Sequence, residues 1–266
     1  MTHFMKAKIK RTALYGLVFM ASKWTIIFLL YHSGFWTYWF LLLFPIADSI
    51  AAVSAVIYLK GNFKKYFAQE LEREFPENFK EMQAEVNDAY EKIESEAQLR
   101  IKSKNPLNKR LRFSAYFVAF IQVLEGRGYD LETIRTHCLH IAQEYIKPKN
   151  GFHRWYLKLV PSLLLLPWSK YFLKRLSEKV KIKDHPYGFE ATLLTQSEIN
   201  QHSGFGIDIH KCGICSLVKK NNASRYNTIL CEIDHLTSEL AGLQLVRTSS
   251  LAQGAAHCDF RFRTLV

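Results

Sequence analysis

Four of the five cysteines fall after residue 205, and most of the polar groups spaced for chemistry lie with them. The segments are GFGIDIHKCGIC, then ILCEIDHL, then LQLVRTSSLAQGAAHCDFRF. A thiolate can add to an electrophilic carbon while a carboxylate or imidazole moves protons, and arginine can hold a substrate carboxylate through two hydrogen bonds. On that chemistry the catalytic candidates are Cys231, Asp234, Cys258 and Asp259, with His235 as a second proton carrier, and the substrate-binding candidates are Arg247, Arg261 and His257. The same sulfurs offer a second chemistry. Cys212, Cys231 and Cys258, with Cys215, could ligate zinc or an iron–sulfur cluster; the C-x-x-C run is suggestive, but no second C-x-x-C follows at ribbon spacing, and no cofactor is assigned. The third reading is that cysteine, a small and often buried residue, fills a core. All three stay open at this level.

The elements that must position these groups are readable. From Arg225 to Leu240 the positions Tyr226, Ile229, Ile233, Leu236 and Leu240 step by three and four, one face of a helix. Cys231, Asp234 and His235 share another face, so a thiol and a carboxylate sit side by side. Gly242 suits the left-handed residue that ends a helix. Leu243, Leu245 and Arg247 then alternate as in a strand. In the last run Cys258, Phe260 and Phe262 point one way, Asp259, Arg261 and Arg263 the other. Cys258 and Asp259 therefore cannot line one pocket unless a bulge near Gly254 re-aims the chain.

A cysteine closing an extended run (Cys212), a C-x-x-D pair on a helix (Cys231, Asp234) and the terminal R-T-x-x-L-A-x-G-x-x-x-C-D-F-R-F resemble the L-2-amino-thiazoline-4-carboxylic acid hydrolase family. The terminal match rests on Arg247, Thr248, Leu251, Gly254, Cys258, Asp259, Phe260 and Arg261. It covers the chain from about Tyr116 and is strongest after Phe205; Cys215 and His235 fall outside the pattern. The resemblance implies an α+β domain and hydrolysis of a non-peptide C–N bond in a small cyclic amidine carboxylate, giving an N-carbamoyl amino acid.

Upstream the character changes. Residues 12–31 and 35–59 are apolar runs broken by Lys23 and Asp48 respectively, each long enough to span a bilayer, with a connection too short for a domain. Lys6, Lys8, Lys10 and Arg11 precede the pair, and Lys60, Lys64 and Lys65 follow it. Both termini are thus expected in the cytoplasm, with Trp36 and Trp39 at the far interface. A central charge costs about 2.5–3.5 kcal/mol on insertion scales, so Lys23 and Asp48 are expected to pair across the hairpin. Ala51, Ala52, Ser54 and Ala55 allow close helix approach, leaving a homo-oligomer open.

Residues 67–101 read as a solvated polar helix interrupted at Phe75-Pro76. Residues 107–124 turn from basic to apolar. Asp130 caps a helix whose Leu131, Ile134, Cys138, Ile141 and Tyr145 share a face, which leaves His137 and His140 without chemistry. Residues 155–173 are apolar but broken by Pro161 and Pro167, suiting a membrane-surface segment or a lid. A strand follows over 189–196.

The 266 residues carry a formal net charge of +12. The basic residues flank apolar runs instead of forming an aromatic-interleaved stripe, so nucleic acid is not the expected partner; a small molecule and the bilayer are. The expected architecture is α+β: a transmembrane hairpin over 1–66, a helical region over 67–185 and a mixed domain with antiparallel strands over 186–266. Besides the hydrolase, a non-catalytic small-molecule or metal sensor on the same anchor fits this pattern, as does an accessory subunit recruiting a partner through the hairpin.

Overall fold

The computed structural model describes residues 63–148, 151, 154, 170–195, 205–240 and 242–264. The expected spans at 12–31 and 35–59, the Lys23–Asp48 pair and most of the apolar stretch 155–173 lie outside the described residues. The chain divides between Gly61 and Asn62, and the second unit, Asn62–Val266, holds every described residue. Among the described residues, no helix is long and apolar enough to cross a membrane.

Helices come first: α1 (Lys64–Glu74), α2 (Phe79–Glu96), α3 (Arg110–Gly126), α4 (Leu131–Ile146) and α5 (Lys170–Val180). The remainder is β1 (Glu190–Leu194), β2 (Phe205–Lys211), α6 (Gly213–Lys220), α7 (Asn227–Leu240), β3 (Leu243–Val246) and β4 (Cys258–Thr264). The strands form one antiparallel sheet in the order β1-β2-β4-β3. The fold is thus mixed α+β, with a helical middle and a C-terminal antiparallel sheet.

The centre is α3. Every residue from Ser114 to Ile121 is buried, as suits a helix apolar on all sides, and α2, α4 and α6 pack around it. One continuous core joins these helices to the inner sheet face through Phe189, Ala191, Ile209, Leu245 and Phe260.

Two expectations change here. Residues 67–101 are not a solvated helix: the break at Phe75-Pro76 holds, but α1 buries Tyr66, Phe67 and Leu71, and α2 buries Met82, Val86, Tyr90 and Ile93. Their apolar residues recur one per turn among many charges, so composition hides the face that periodicity would reveal. Second, Asp130 caps α4, its carboxylate accepting the Thr133 N–H at 2.7 Å, but Leu131 stays 48% exposed and His137 takes a buried place on that helix.

Candidate functional site

Asp234 organises the site. It lies one turn beyond Cys231 on α7, and its Oδ1 accepts from Arg110 at 2.5 Å while Arg247 approaches Oδ2 to 3.7 Å. Two guanidinium groups around one carboxylate leave a surplus positive charge. Arg110 and Asp234 form part of the wall of a cavity of about 330 Å³ between the start of α3, α7 and the inner sheet face. The other lining residues are apolar or hydroxylated, including Leu107, Ile207, Ser238 and Phe260. A small cavity with apolar walls and a few placed polar groups is what binding a small molecule requires.

Arg110 is set by two buried amides that no motif or spacing singles out. Asn105 Nδ2 donates to the carbonyls of Val180, Ile182 and Phe189 at 2.9–3.1 Å, and its Oδ1 caps the turn by accepting from Leu107 N–H at 3.0 Å. Asn108 Oδ1 accepts the Phe189 N–H at 2.9 Å. The start of α3 is thereby fastened to the strand entering the sheet. Gly213 brings α6 to the same place, since a Cβ there would meet the Tyr187 carbonyl and the Leu111 side chain.

That approach places Cys212 at the N-cap of α6, its sulfur accepting the Cys215 N–H at 3.5 Å. A hydrogen bond from the Cys215 thiol, with the N–H groups of Ile214 and Cys215, holds the Cys212 thiol below its usual range despite burial. The other thiols move the opposite way. The bond to Cys212 and burial push Cys215 up. Burial pushes Cys231 up to about 11 against the pull of Arg247, and raises Cys258. Cys212 is therefore the thiol of this group that ionises most readily.

The remaining candidates separate by strand parity. Cys231 lies beside Asp234 as the helix spacing requires, but its sulfur turns to Ser250 Oγ at 4.0 Å. Cys258, on the inner face, is buried, accepts the Leu251 N–H at 3.2 Å and also reaches Ser250 at 4.0 Å. His235 is exposed. Asp259 points to the other face. Its carboxylate takes the N–H groups of Thr248 (2.9 Å) and Ser249 (2.5 Å) and both hydroxyls, and so ties down the turn before Cys258. Partial burial pushes its carboxyl up, but these hydrogen bonds hold it at about 2. No bulge re-aims the strand: Gly254 adopts φ 87° to close the 3-10 turn Leu251–Gln253, and β4 pairs regularly with β2.

The two arginines expected on one substrate do not converge. Arg247 lies on the inner side, over the Phe260 ring and donating to the Cys231 carbonyl at 3.3 Å. Arg261 lies on the outer face, donating to Asp208 at 2.7 Å. His257 shares that outer side, its ring 6.0 Å from that of His210. The arginine that lines the cavity is Arg110, whose only sequence signal is a basic residue opening an otherwise apolar helix.

The metal reading also changes. Among the described residues no group of three or more His, Cys, Asp or Glu is arranged to hold a metal ion, so Cys212, Cys231 and Cys258 do not form a ligand set. The Cys231 and Cys258 sulfurs both turn to the Ser250 hydroxyl, each at 4.0 Å, while that of Cys212 accepts the Cys215 N–H.

No curated protein and no solved structure matches the chain. One family model does, over a stretch that begins later than the resemblance from Tyr116 and holds the sheet and all four clustered cysteines but leaves Arg110 outside. Residues 165–262, the C-terminal region of this chain, match the L-2-amino-thiazoline-4-carboxylic acid hydrolase family.

Proposed function

We propose that the chain hydrolyses a small cyclic amidine that carries a carboxylate, opening the ring to an N-carbamoyl amino acid. The observation that carries this reading is the charge pattern of the cavity: Arg110 and Asp234 are its charged lining residues, in otherwise apolar or hydroxyl surroundings. A protonated amidine bearing a carboxylate has one positive and one negative end. It can exchange the Arg110–Asp234 pair for two pairs of its own, amidinium on Asp234 and carboxylate on Arg110, with Arg247 staying beside Asp234.

Cys212 is the nucleophile in this scheme, in place of the candidates Cys231 and Cys258; it is not among the residues that line the cavity, but it lies close enough to Arg110 and Asp234 to feel their charges. Its thiolate adds to the amidine carbon, and the C=N electron pair moves to nitrogen, which takes a proton. The tetrahedral carbon collapses with cleavage of its bond to the ring sulfur of the thiazoline, the C=N bond re-forming and the departing sulfur taking a proton. Water then attacks the same carbon, sulfur leaves as thiolate, and the carbonyl of the carbamoyl product remains. Asp234 is placed to hold the amidinium through these steps.

The test is carbamoyl product formation from 2-amino-thiazoline-4-carboxylate by the purified full chain. Turnover is expected in the wild type and on the order of 10³-fold weaker in Cys212→Ser, while Asp234→Asn raises KM more than it lowers kcat. A wild type that binds the compound without turning it over would overturn the enzymatic reading.

We also propose that residues 12–31 and 35–59 tether the enzyme to a bilayer with both termini on the cytoplasmic side. The basic residues flanking the pair support this. Release of the full chain from membranes by alkaline carbonate would sink it.

A further inference from the structure

The run Cys212-Gly213-Ile214-Cys215 straddles the point where β2 gives way to α6. Cys212 occupies the N-cap and Cys215 the third helical position, neighbours on one turn. Both are free thiols and both are half-buried, in contrast to Cys138 and Cys258, which are fully enclosed. The Cys215 N–H points at the Cys212 sulfur at 3.5 Å, and the first-turn N–H groups, which have no partners within the helix, favour negative charge there. Arg110 lies near enough to feel the charge of Cys212. A half-buried pair, a first sulfur whose ionised form the surrounding N–H groups favour and a second thiol one turn on are the parts that thiol–disulfide exchange needs.

We propose that Cys212 and Cys215 form a reversible dithiol–disulfide couple that exchanges with small disulfides such as oxidised glutathione. The Cys212 thiolate attacks one sulfur of the external disulfide, forming a mixed disulfide and expelling one thiolate. Cys215 then gives up its proton and attacks the Cys212 sulfur. The Cys212–Cys215 bond forms, the second external thiolate leaves, and two electrons have passed from the protein to the external disulfide, which is reduced to two thiols. Reduction by excess thiol runs the same steps backwards.

The low thiol range of Cys212 and the raised one of Cys215 suit these roles, since an attacking sulfur must be ionised and a resolving sulfur need ionise only when the mixed disulfide is beside it. The couple does not depend on ring hydrolysis. One consequence does rest on that reading: with Cys212 also the nucleophile, the bridged chain is inactive toward the amidine.

The purified full chain is equilibrated with oxidised glutathione, quenched with an alkylating reagent, digested and weighed. The expected result is loss of alkylation at both Cys212 and Cys215, with the peptide containing them lacking two hydrogens, and full recovery after dithiothreitol. Cys215→Ser is expected to stop at a single glutathione on Cys212. A wild type in which Cys212 and Cys215 remain separately alkylated overturns the proposal, whether or not the variant folds. So does a mixed disulfide in Cys215→Ser that forms on Cys231 or Cys258 instead. Turnover is read in parallel on the dithiothreitol-reduced protein: a chain that forms the bridge but is inactive when reduced removes the hydrolase reading alone, and one that is active when reduced but forms no bridge removes the couple alone.

Discussion

Two carboxylates, each held by more than one basic side chain, sit in opposite halves of the second unit. Glu70 of α1 is 2% exposed; the Nδ1 atoms of His137 and His140 lie 2.8 and 2.6 Å from its oxygens, and Arg73 donates at 2.9 Å. Asp234 of α7 meets Arg110 and Arg247, is 13% exposed and borders the cavity. The first cluster joins α1 to α4 through the two histidines, with Arg73 of α1 bracing the same carboxylate. The second leaves one side to a space where a ligand with opposite charges can take over the contacts. Similar chemical groups thus serve as a fastening where the surroundings are filled and as a candidate site where they are not.

The largest effect that would sharpen this contrast is kinetic. Cys212→Ser is expected to lower kcat/KM for the amidine by on the order of 10³-fold, about 4 kcal/mol, while Cys231→Ser changes it only several-fold; equal losses would return the nucleophile to doubt. Glu70→Gln should leave turnover of the folded protein unchanged yet cost about 3 kcal/mol in urea unfolding, because it strips a buried cluster of its charge.

The same variant carries a pH signature. Burial pushes the Glu70 carboxyl up, but the hydrogen bonds from His137 and His140 and the charge of Arg73 outweigh it, and the net shift is downward. A depressed carboxyl contributes stability that is full above its ordinary range and is lost as pH falls through the folded value. Glu70→Gln should therefore flatten the acid side of the stability profile, and an unchanged acid limb would show that other groups set it.

Asp259 offers a smaller version. Partial burial raises its carboxyl, but the hydrogen bonds from Thr248 and Ser249 win and hold it at about 2. It contributes stability above the ordinary carboxylate range and loses that contribution as pH falls toward about 2. Asp259→Asn is expected to cost about 2 kcal/mol and to speed amide exchange at Thr248 and Ser249, the two N–H groups it accepts. The smallest effect belongs to Arg261→Gln, which breaks the outer-face pair with Asp208 and a hydrogen bond to the Phe260 carbonyl. It should cost less than about 1 kcal/mol and leave KM unchanged; a large rise in KM would mean that substrate reaches the outer face.

Much of the C-terminal half was legible because its periodicities are short. The helix carrying Cys231 and Asp234, the left-handed Gly242 at φ 76° and the opposed faces of Cys258 and Asp259 all follow from spacing. The helical half was legible in its boundaries but not in its burial, since a face of one apolar residue per turn is diluted by the glutamates around it. Glu70, His137 and His140 carried no signal at all. Glu70 is separated from the histidines by more than sixty residues, and their types are those of any solvated helix.

The sequence by itself determined which residues share a helix face or a strand face, because those relations depend only on backbone geometry over a few positions. Only the tertiary structure decided which of those faces meet. Arg110 reaches Asp234 across 124 positions, through two buried asparagines and a glycine contact, and no local pattern encodes that. The choice of Cys212 over Cys231 is likewise tertiary. Ionisation of a thiol is set by the N–H groups and charges around the sulfur and by the depth at which it lies, and these come from the packing of α6 and α7 against α3 and the sheet.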